Sequence, residues 1–267
     1  MVRYLSREPG LAFATSGEVE ARPLLFINGM GGAMPAWYHQ ARRFEGSRRV
    51  ITYDHRGNGR SPEVDAPGEM ATFAGDLLAL MDELSVATAD LVGVSFGGRL
   101  AQFMALNHPE RVSSITLVAT QAGPAGGIRG HGTLEEMGEM SAERFVEEVL
   151  PLLFGERYRE SHRHHLEVFA RARARNPQSP SALRRQMSAA RGFDPRERLH
   201  TITHPTLVIH GEEDALCPIS EAETLFERIP DSRLVRLEGI GHSPNIEDHG
   251  AFNDHLAAFL GELAARG

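Results

Sequence analysis

The sequence has 267 residues, a formal net charge of −8 at pH 7, 41% hydrophobic residues and 24% charged residues. The acidic balance disfavours nucleic-acid binding, which needs a basic face, and no apolar run approaches the roughly 18 residues that a membrane span needs. The opening residues MVRYLSREPG lack the features of a secretory signal, and a single cysteine cannot form an internal disulfide. We therefore expect a cytoplasmic protein with no nucleic-acid and no membrane partner.

Short β-rich runs alternate with amphipathic helical stretches along the chain, and this alternation predicts an α/β fold with a mostly parallel sheet flanked by helices. Near the N-terminus, RYLSR and LAFATSG predict a short hairpin. The strands predicted after this hairpin are 23–28, 48–54, 89–95, 112–120, 205–211 and 232–239.

The long segment between the predicted strands 112–120 and 205–211 has mainly helical periodicity. Its predicted helices are 140–155, 161–175 and 180–191. A long insertion in a compact domain is usually functional. We therefore predict a core made of residues 1–123 and 201–267, and a helical cap, or lid, at 124–200.

ADLVGVSFGGRLAQF, residues 89–103, places Ser95 between Gly93 and Gly97 where a strand gives way to a helix. A Gly-x-Ser-x-Gly turn of this kind exposes the serine hydroxyl. We expect a Cβ at either glycine to press on the neighbouring strand or helix, and Ser95 to be strained. The Phe96 N–H would then help to stabilise negative charge on a reacting group. The alternative is an ordinary glycine-rich turn whose serine caps the helix.

A nucleophilic serine needs a base, and the base needs an acid that orients it. VIHGEEDALCP places Asp214 just past one predicted strand, and LEGIGHSPNIE places His242 just past the next. Glu212 and Glu213 are rival acids. The downstream strand ends therefore carry both groups that an activated serine requires.

The segments GVSFGG, PTLVIHGEED and GHSPNIE, in this order, resemble the α/β-hydrolase superfamily, as does RRVITYDHRGNGRSP. The resemblance implies an α/β-hydrolase fold with Ser95 as nucleophile, His242 as general base and then acid, and Asp214 as the orienting carboxylate. The family sets its acid three residues after the HG pair, which favours Asp214 over the neighbouring glutamates.

LLFINGMGGAMPAW, residues 24–37, is the loop to which the resemblance assigns the second oxyanion N–H. Met30 is the predicted donor, and Gly29 is a candidate substrate-binding residue. The family more often has His-Gly where this chain has Asn28 and Gly29. Trp37 resembles a family tryptophan and is a candidate for either a core residue or a substrate contact.

A dinucleotide-binding unit is a rival interpretation of the same loop, because Gly29-x-Gly31 follows a strand and Asp54 ends the next one. Met34 stands where the third glycine would be needed, so we expect no nicotinamide or flavin cofactor. Asp54 and Arg56 are then interpreted as residues that stabilise a turn.

A metal site is a further rival, because SHRHHLE places His162 and His165 on one helical face. Two helical ligands do not make a site, and the sequence offers no third. We therefore expect no metal and no other cofactor. Cys217 is interpreted as a small packed residue.

The predicted activity is hydrolysis of a small-molecule carboxylic ester or lactone through an acyl-enzyme on Ser95. The downstream half resembles esterases and enol-lactonases such as 3-oxoadipate enol-lactonase. Haloalkane dehalogenases have an aspartate at the position of the nucleophile, so Ser95 argues against that activity. The alternatives are a cofactor-free haloperoxidase-like enzyme, a cyclase or lyase of the same fold, and a ligand receptor.

The predicted cap is basic, since residues 157–191 contain nine arginines against only Glu160 and Glu167. A solvated helix face explains this charge simply. The sharper hypothesis is that Arg171 and Arg175, one helical turn apart, attract an anionic substrate or the acidic surface of an acyl carrier protein.

Overall fold

The computed structural model describes residues 1–124, 142–175 and 179–266. Its eight-stranded sheet has the order β1-β2-β4-β3-β5-β6-β7-β8. The strands are β1 (Val2–Tyr4), β2 (Ala12–Ser16), β3 (Pro23–Ile27), β4 (Arg49–Tyr53), β5 (Ala89–Val94), β6 (Val112–Val118), β7 (Thr206–Gly211) and β8 (Ser232–Leu237). The pairs β1–β2 and β2–β4 are antiparallel, and every later pair is parallel. The predicted hairpin and the mostly parallel sheet are both confirmed.

Helices cover both faces of the sheet, which is why the parallel strands read as continuous apolar runs. In the described residues the α-helices are α1 (Tyr38–Phe44), α2 (Met70–Glu83), α3 (Phe96–Asn107), α4 (Ala142–Glu148), α5 (Leu150–Leu153), α6 (Glu156–Ser161), α7 (Arg163–Arg175), α8 (Pro180–Arg191), α9 (Ile219–Arg228), α10 (Pro244–Glu247) and α11 (His249–Arg266). Short 3₁₀ helices occupy Met34–Trp37, Pro109–Arg111 and Arg196–Thr201.

The core has two apolar layers, one on each side of the sheet. Side chains such as Phe73 of α2 and Leu100 of α3 belong to the first layer. Phe252 and Leu256 of α11 belong to the second. Because both layers pack on buried strands, the strand ends are fixed positions from which loops can present functional groups.

Helices α4 to α8 lie between β6 and β7, and we call them the insert (residues 142–175 and 179–191). The helix predicted at 140–155 is divided, because Pro151 lies in the first turn of the new helix α5 and a proline there cannot continue the hydrogen bonding of a preceding helix. Residues 125–141 and 176–178 lie outside the described residues. The division into a core and a cap at 124–200 therefore stays a prediction.

None of the helices in the described ranges combines the length and apolar character that crossing a bilayer requires. The arrangement of the sheet instead indicates where a ligand binds. The chain runs from β3 outward to β4 and then crosses to β5 on the other side of β3. In open α/β sheets, ligands bind at the carboxyl ends of the strands near such a reversal.

Candidate active site

Ser95 stands at the carboxyl end of β5, in a backbone conformation that side chains rarely adopt, with φ 53° and ψ −114°. A Cβ at Gly93 would lie 2.2 Å from the Gly97 carbonyl oxygen, and one at Gly97 would lie 2.3 Å from the Ile27 carbonyl oxygen. Both predicted clashes are confirmed. In the described structure the Ser95 side chain makes no capping hydrogen bond to α3. The strained backbone is therefore explained better by exposure of the hydroxyl than by helix capping.

Backbone hydrogen bonds hold this strained turn in place. Ser95 N donates to the Val118 carbonyl oxygen of β6 at 2.8 Å. The Ser95 carbonyl oxygen accepts from Gly98 N at 3.0 Å and from Thr120 Oγ1 at 2.7 Å. The neighbouring strand therefore fixes the position of the serine.

Asp214 and His242 form a buried pair at the ends of β7 and β8. His242 Nδ1 lies 2.8 Å from Asp214 Oδ2, and the carboxylate requires that Nδ1 carries the proton. Asp214 Oδ1 accepts from the backbone N–H groups of Leu216 at 2.9 Å and Cys217 at 2.8 Å. Nδ1 is thus committed to the acid, which leaves Nε2 of His242 as the basic nitrogen.

The two groups shift each other's pKa in opposite directions. Burial opposes charge on Asp214, but His242 and a hydrogen bond from His210 outweigh it, so the pKa of Asp214 lies below its usual range. Burial also opposes charge on His242 and on its own would lower the pKa of His242. The Asp214 carboxylate outweighs this effect and raises the pKa of His242 well above its ordinary value. Asp214 therefore stabilises the imidazolium that forms when His242 takes a proton.

The rival acids lie elsewhere. Glu212 is exposed, and the Glu213 carboxylate accepts from Glu156 N of the insert at 3.0 Å. Of the three acids after β7, Asp214 is the one that the structure brings to His242.

Glu247, which sequence reasoning missed, supports the loop that carries His242. Its carboxylate accepts from Gly241 N at 3.0 Å and from Ser243 N at 3.2 Å, on either side of His242. It also accepts from Gly155 N of the insert at 2.7 Å. Burial raises the pKa of Glu247. The available signal was its place in the first turn of α10, where a carboxylate satisfies free N–H groups.

Residues 28–34, which we call the oxyanion loop after the role that the resemblance assigns to them, pass directly beside Ser95. A Cβ on Gly29 would lie 3.3 Å from Ser95 Cβ, so a side chain there would crowd the serine. Gly31 has φ +77°, and Gly32 N donates to the Gly29 carbonyl oxygen at 3.0 Å. This tight turn places the loop where it can supply an N–H to the reacting carbonyl, and the assignment of Met30 and Phe96 as donors stays a prediction.

Buried polar side chains fix the beginning of the oxyanion loop. Asn28 Nδ2 donates to the Tyr53 carbonyl oxygen at 2.7 Å, and His55 Nε2 donates to the Asn28 carbonyl oxygen at 3.0 Å. Burial lowers the pKa of His55 to about 4, so this histidine is neutral and holds the loop. The change from His-Gly to Asn28-Gly29 thus supplies a tie to β4.

Asp54 stabilises turns, as predicted, and this role conflicts with the dinucleotide alternative. Its Oδ1 accepts from Met34 N at 2.7 Å and its Oδ2 from Arg60 N at 3.0 Å. Arg56 forms a two-pronged pair with Asp76 at 2.7 and 2.5 Å. Both oxygens of Asp54 are occupied by the protein's own backbone, so this carboxylate is not free to bind a ribose.

A family model of the alpha/beta hydrolase fold matches residues 22–249 of this chain. The chain belongs to the alpha/beta hydrolase fold family. It is a hydrolase of this fold, and its solved and curated relatives carry hydrolase names.

Three of these relatives span nearly the whole of this hydrolase. A protein of Variovorax paradoxus named "Putative carbamate hydrolase RutD" is 30% identical, over 96% of this chain and 98% of its own. The 3-oxoadipate enol-lactonase 2 of Acinetobacter baylyi is 27% identical, over 96% and 94%. The crystal structure of the enol-lactonase from Burkholderia xenovorans has a TM-score of 0.85 and 26% identity, and covers 94% of this chain and 97% of that one.

Trp37 is a core residue of this alpha/beta hydrolase, and the alternative that it contacts substrate is wrong. Its side chain is 0% exposed. It packs against Phe26 and Phe252, with ring centroids 4.8 and 6.4 Å away. A ring enclosed in this way stabilises the fold and does not reach a ligand.

The remaining candidates are the cap histidines, the cap arginines and Cys217, and of these Cys217 adjoins the predicted triad through its N–H on Asp214. In the SHRHHLE segment, His165 Nδ1 lies 3.0 Å from Tyr158 Oη, and His162 stacks on the same tyrosine. Cys217 is buried, as predicted. Arg171 is exposed on α7, and the Arg175 side chain lies outside the described residues. The anionic-substrate hypothesis for these arginines stays a prediction.

Proposed function

We propose that this hydrolase cleaves a carboxylic ester or lactone of a small molecule through a covalent acyl-enzyme on Ser95. The observation that carries the proposal is that three parallel strands end at the same edge of the sheet, and that one of the three predicted groups follows each of them. A strained, partly exposed serine ends β5, and the buried Asp214–His242 pair ends β7 and β8.

The proposed reaction begins when His242 Nε2 takes the Ser95 proton and Oγ attacks the carbonyl carbon. The Met30 and Phe96 N–H groups bind the oxyanion, and each such donor lowers the barrier by roughly 2.7 to 4 kcal/mol. His242 then gives its proton to the leaving oxygen as the bond between that oxygen and the carbonyl carbon breaks, which leaves an acyl-enzyme. An ester releases its alcohol at this step, whereas a lactone ring opens and keeps the new hydroxyl on the acyl chain. Water, activated by the same histidine, hydrolyses the acyl-enzyme and releases the acid.

The names of the relatives support two carbonyl substrates. Enol-lactonase relatives favour a cyclic ester, and relatives named carbamate hydrolase favour a carbamate as the second candidate. Both substrates present a carbonyl carbon with a heteroatom leaving group, and the same triad serves either. The lactone leads because its leaving oxygen is a weaker base than a carbamate nitrogen, and because no nitrogen lone pair deactivates its carbonyl carbon.

The role of the insert as a lid, and of Arg171 and Arg175 as an anion-binding pair, belongs to the same proposal. The basic composition of residues 157–191 supports it. Replacing both arginines with glutamine should raise KM for an anionic ester several-fold and spare a neutral ester of equal size. Equal effects on both esters would mean that these arginines form a solvated helix face and bind no anionic substrate.

The direct test compares Ser95→Ala with Ser85→Ala on a series of 4-nitrophenyl esters. Ser85 also has φ 53° but lies in an exposed turn after α2, so it controls for removing a hydroxyl from a serine with the same positive φ. Ser95→Ala should abolish turnover at unchanged melting temperature, and Ser85→Ala should retain it. Retention of more than a few per cent activity in Ser95→Ala would contradict the proposal.

A substrate panel decides between the candidates. An enol-lactone, an alkyl ester and an N-alkyl carbamate of similar size are compared by kcat/KM. The proposal expects the lactone or the ester to lead, and a leading carbamate would establish the second candidate. Failure of the folded enzyme on all three would favour a cyclase, a lyase or a ligand receptor.

A further inference from the structure

Gln186 of α8 joins the insert to the oxyanion loop. Its side chain is 0% exposed, and its Oε1 accepts a hydrogen bond from Gly31 N at 3.3 Å. Two residues earlier in the same loop, Gly29 passes beside Ser95. A side chain from the insert is thus buried against the loop that borders the nucleophile.

The Gly31 N–H determines which way the Gln186 amide points. A peptide N–H only donates, so the amide oxygen faces Gly31 and the amide nitrogen faces away from it. Within residues 1–124, 142–175 and 179–266, this buried Nε2 group has no hydrogen-bond partner. A buried donor is normally satisfied, because leaving it unpaired forfeits its hydration. Trp37 Nε1 is also a buried donor without a partner among the described residues, but Gln186 Nε2 differs in its place, because its amide borders the loop that passes beside Ser95. A substrate held at Ser95 would supply an acceptor there.

The position of Gln186 indicates which part of a substrate would supply that acceptor. The leaving group must face His242, which protonates it, and His242 follows β8. The oxyanion loop follows β3, on the opposite side of β5 from β8. Gln186 therefore lies on the side away from the leaving group, where the acyl part of the substrate is accommodated.

We propose that Gln186 is a specificity-determining residue whose Nε2 donates a hydrogen bond to an oxygen on the acyl chain, in addition to the scissile carbonyl. The inference rests on the proposed function, since it takes Ser95 as the nucleophile. A ketone or carboxylate oxygen on the acyl chain satisfies the amide, and a plain alkyl chain leaves it unpaired. An enzyme built to bind an oxygen discriminates against the analogue that lacks it.

The test uses three esters with acyl chains of similar length: 4-nitrophenyl pentanoate, 4-nitrophenyl 4-oxopentanoate and 4-nitrophenyl hydrogen succinate. They offer an alkyl chain, a neutral carbonyl and a carboxylate, and spontaneous hydrolysis is subtracted. The variant Gln186→Glu keeps an acceptor for Gly31 N but loses the donor, and Gln186→Met loses both. Gln102→Met is the control, because Gln102 is also fully buried and its Nε2 donates to the Gln121 carbonyl oxygen.

The readout is the ratio of kcat/KM for an oxygenated ester to that for the pentanoate, measured on one preparation so that the fraction of folded enzyme cancels. Wild type should favour at least one oxygenated ester by about tenfold, as one hydrogen bond provides. Both Gln186 variants should lose that preference, and Gln102→Met should keep it. The ester that wild type prefers distinguishes a ketone from a carboxylate.

Two results overturn the inference, and they differ from failure of the proposed function. The first is a wild-type enzyme that hydrolyses all three esters without preference. The second is a Gln186→Glu variant that keeps the wild-type preference, which would mean that Gln186 only holds Gly31. If wild type hydrolyses none of the esters and a fluorophosphonate does not label Ser95, the proposed function itself fails, and the inference fails with it.

Discussion

The two parts of the insert differ in how they join the rest of the molecule. Helix α8 contributes Ala189 and Ala190 to the same apolar cluster as α2 and α3. The earlier part contributes to a second cluster, made of Val149, Leu150, Phe154, Tyr158, Leu166 and Ala170, against which Ile246 of α10 also packs. Helix α8 therefore packs into the larger cluster of the sheet, whereas the earlier helices of the insert pack mainly on one another.

Their contacts with the catalytic edge differ in kind as well. The core approaches α8 closely: a Cβ on Gly57 would lie 2.5 Å from Ala182 Cβ, and the buried Arg99 guanidinium donates to the Ala190 carbonyl oxygen at 2.8 Å. The earlier part meets two carboxylates of the core, through Gly155 N on Glu247 and Glu156 N on Glu213. Changes where α8 packs on Gly57 should therefore act on stability, and changes at Glu247 should act on catalysis.

The largest effect on kcat/KM should come from the loop after β7, where Asp214 contacts His242 and the neighbouring Glu213 contacts the insert. Asp214→Asn leaves the shape of the side chain but removes the charge that orients His242, so kcat/KM should fall by about four orders of magnitude. Glu213→Gln alters only a contact with the insert and should change kcat/KM by less than about tenfold. Steady-state kinetics on one ester decide the point, and the opposite ranking would make Glu213 the acid.

Glu247 sharpens the comparison, because it binds the insert and the His242 loop with one carboxylate. Glu247→Ala removes the acceptor for the N–H groups on both sides of His242, and we expect kcat to fall by about one to two orders of magnitude with a smaller effect on KM. Glu247→Gln retains one acceptor oxygen and should lose less. Glu238→Gln, at an exposed position, is the matched control.

The outcome that contradicts this account is a large loss of melting temperature in Glu247→Ala with unchanged kcat per folded molecule. Glu247 would then act on stability, as the contacts of α8 do. A shifted pH profile in Glu247→Ala would support the positioning role. A displaced His242 interacts more weakly with the Asp214 carboxylate, and this weaker interaction lowers the pKa of His242.

The pH dependence tests the electrostatics of the acid side. Asp214 raises the pKa of His242, so His242 stays protonated to a higher pH than free histidine, and a protonated imidazole cannot act as a base. The kcat/KM should therefore rise with pH through a midpoint above about 6.5, and fall about tenfold per pH unit below it. Asp214→Asn should move the midpoint down. A flat profile from pH 5 to 8 would count against His242 as the base.

The smallest expected effect on turnover lies where Gly57 packs against α8. Gly57→Ala adds a methyl group at φ +71°, 2.5 Å from Ala182 Cβ, and should lower the free energy of unfolding by about 1 to 3 kcal/mol. Gly75→Ala, inside α2 where a Cβ meets nothing within 4 Å, should raise it by about 0.5 to 1 kcal/mol. Thermal unfolding measures both changes, and a Gly57→Ala enzyme of unchanged stability would show that α8 is not built into the core.

The features that sequence predicted well are those decided by neighbouring residues. Each parallel strand was placed within two residues of its ends, because β-branched runs and their flanking turns are local signals. The Gly93-x-Ser95-x-Gly97 turn and the strand-end positions of Asp214 and His242 are equally local. The split of the predicted helix at Pro151 was missed because helical periodicity continues across the break.

Contacts between distant parts of the chain were beyond prediction. Glu247 and Gly155 are 92 residues apart, and Gly31 and Gln186 are 155 apart, so each contact depends on how the insert folds back on the core. The burial of Trp37 between Phe26 and Phe252 depends in the same way on the position of α11. Pattern alone cannot distinguish such a core ring from one that faces a ligand.

The central claim, that the Asp214–His242 pair activates Ser95, is tested most directly by covalent labelling with a fluorophosphonate. Attack by Oγ on phosphorus releases fluoride and adds one phosphonyl group, which intact-mass and peptide mass spectrometry locate. The account predicts a single adduct on the peptide that contains Ser95, no adduct in Ser95→Ala, and much slower labelling in Asp214→Asn. An adduct on another residue, or labelling that is unchanged in Asp214→Asn, would contradict it.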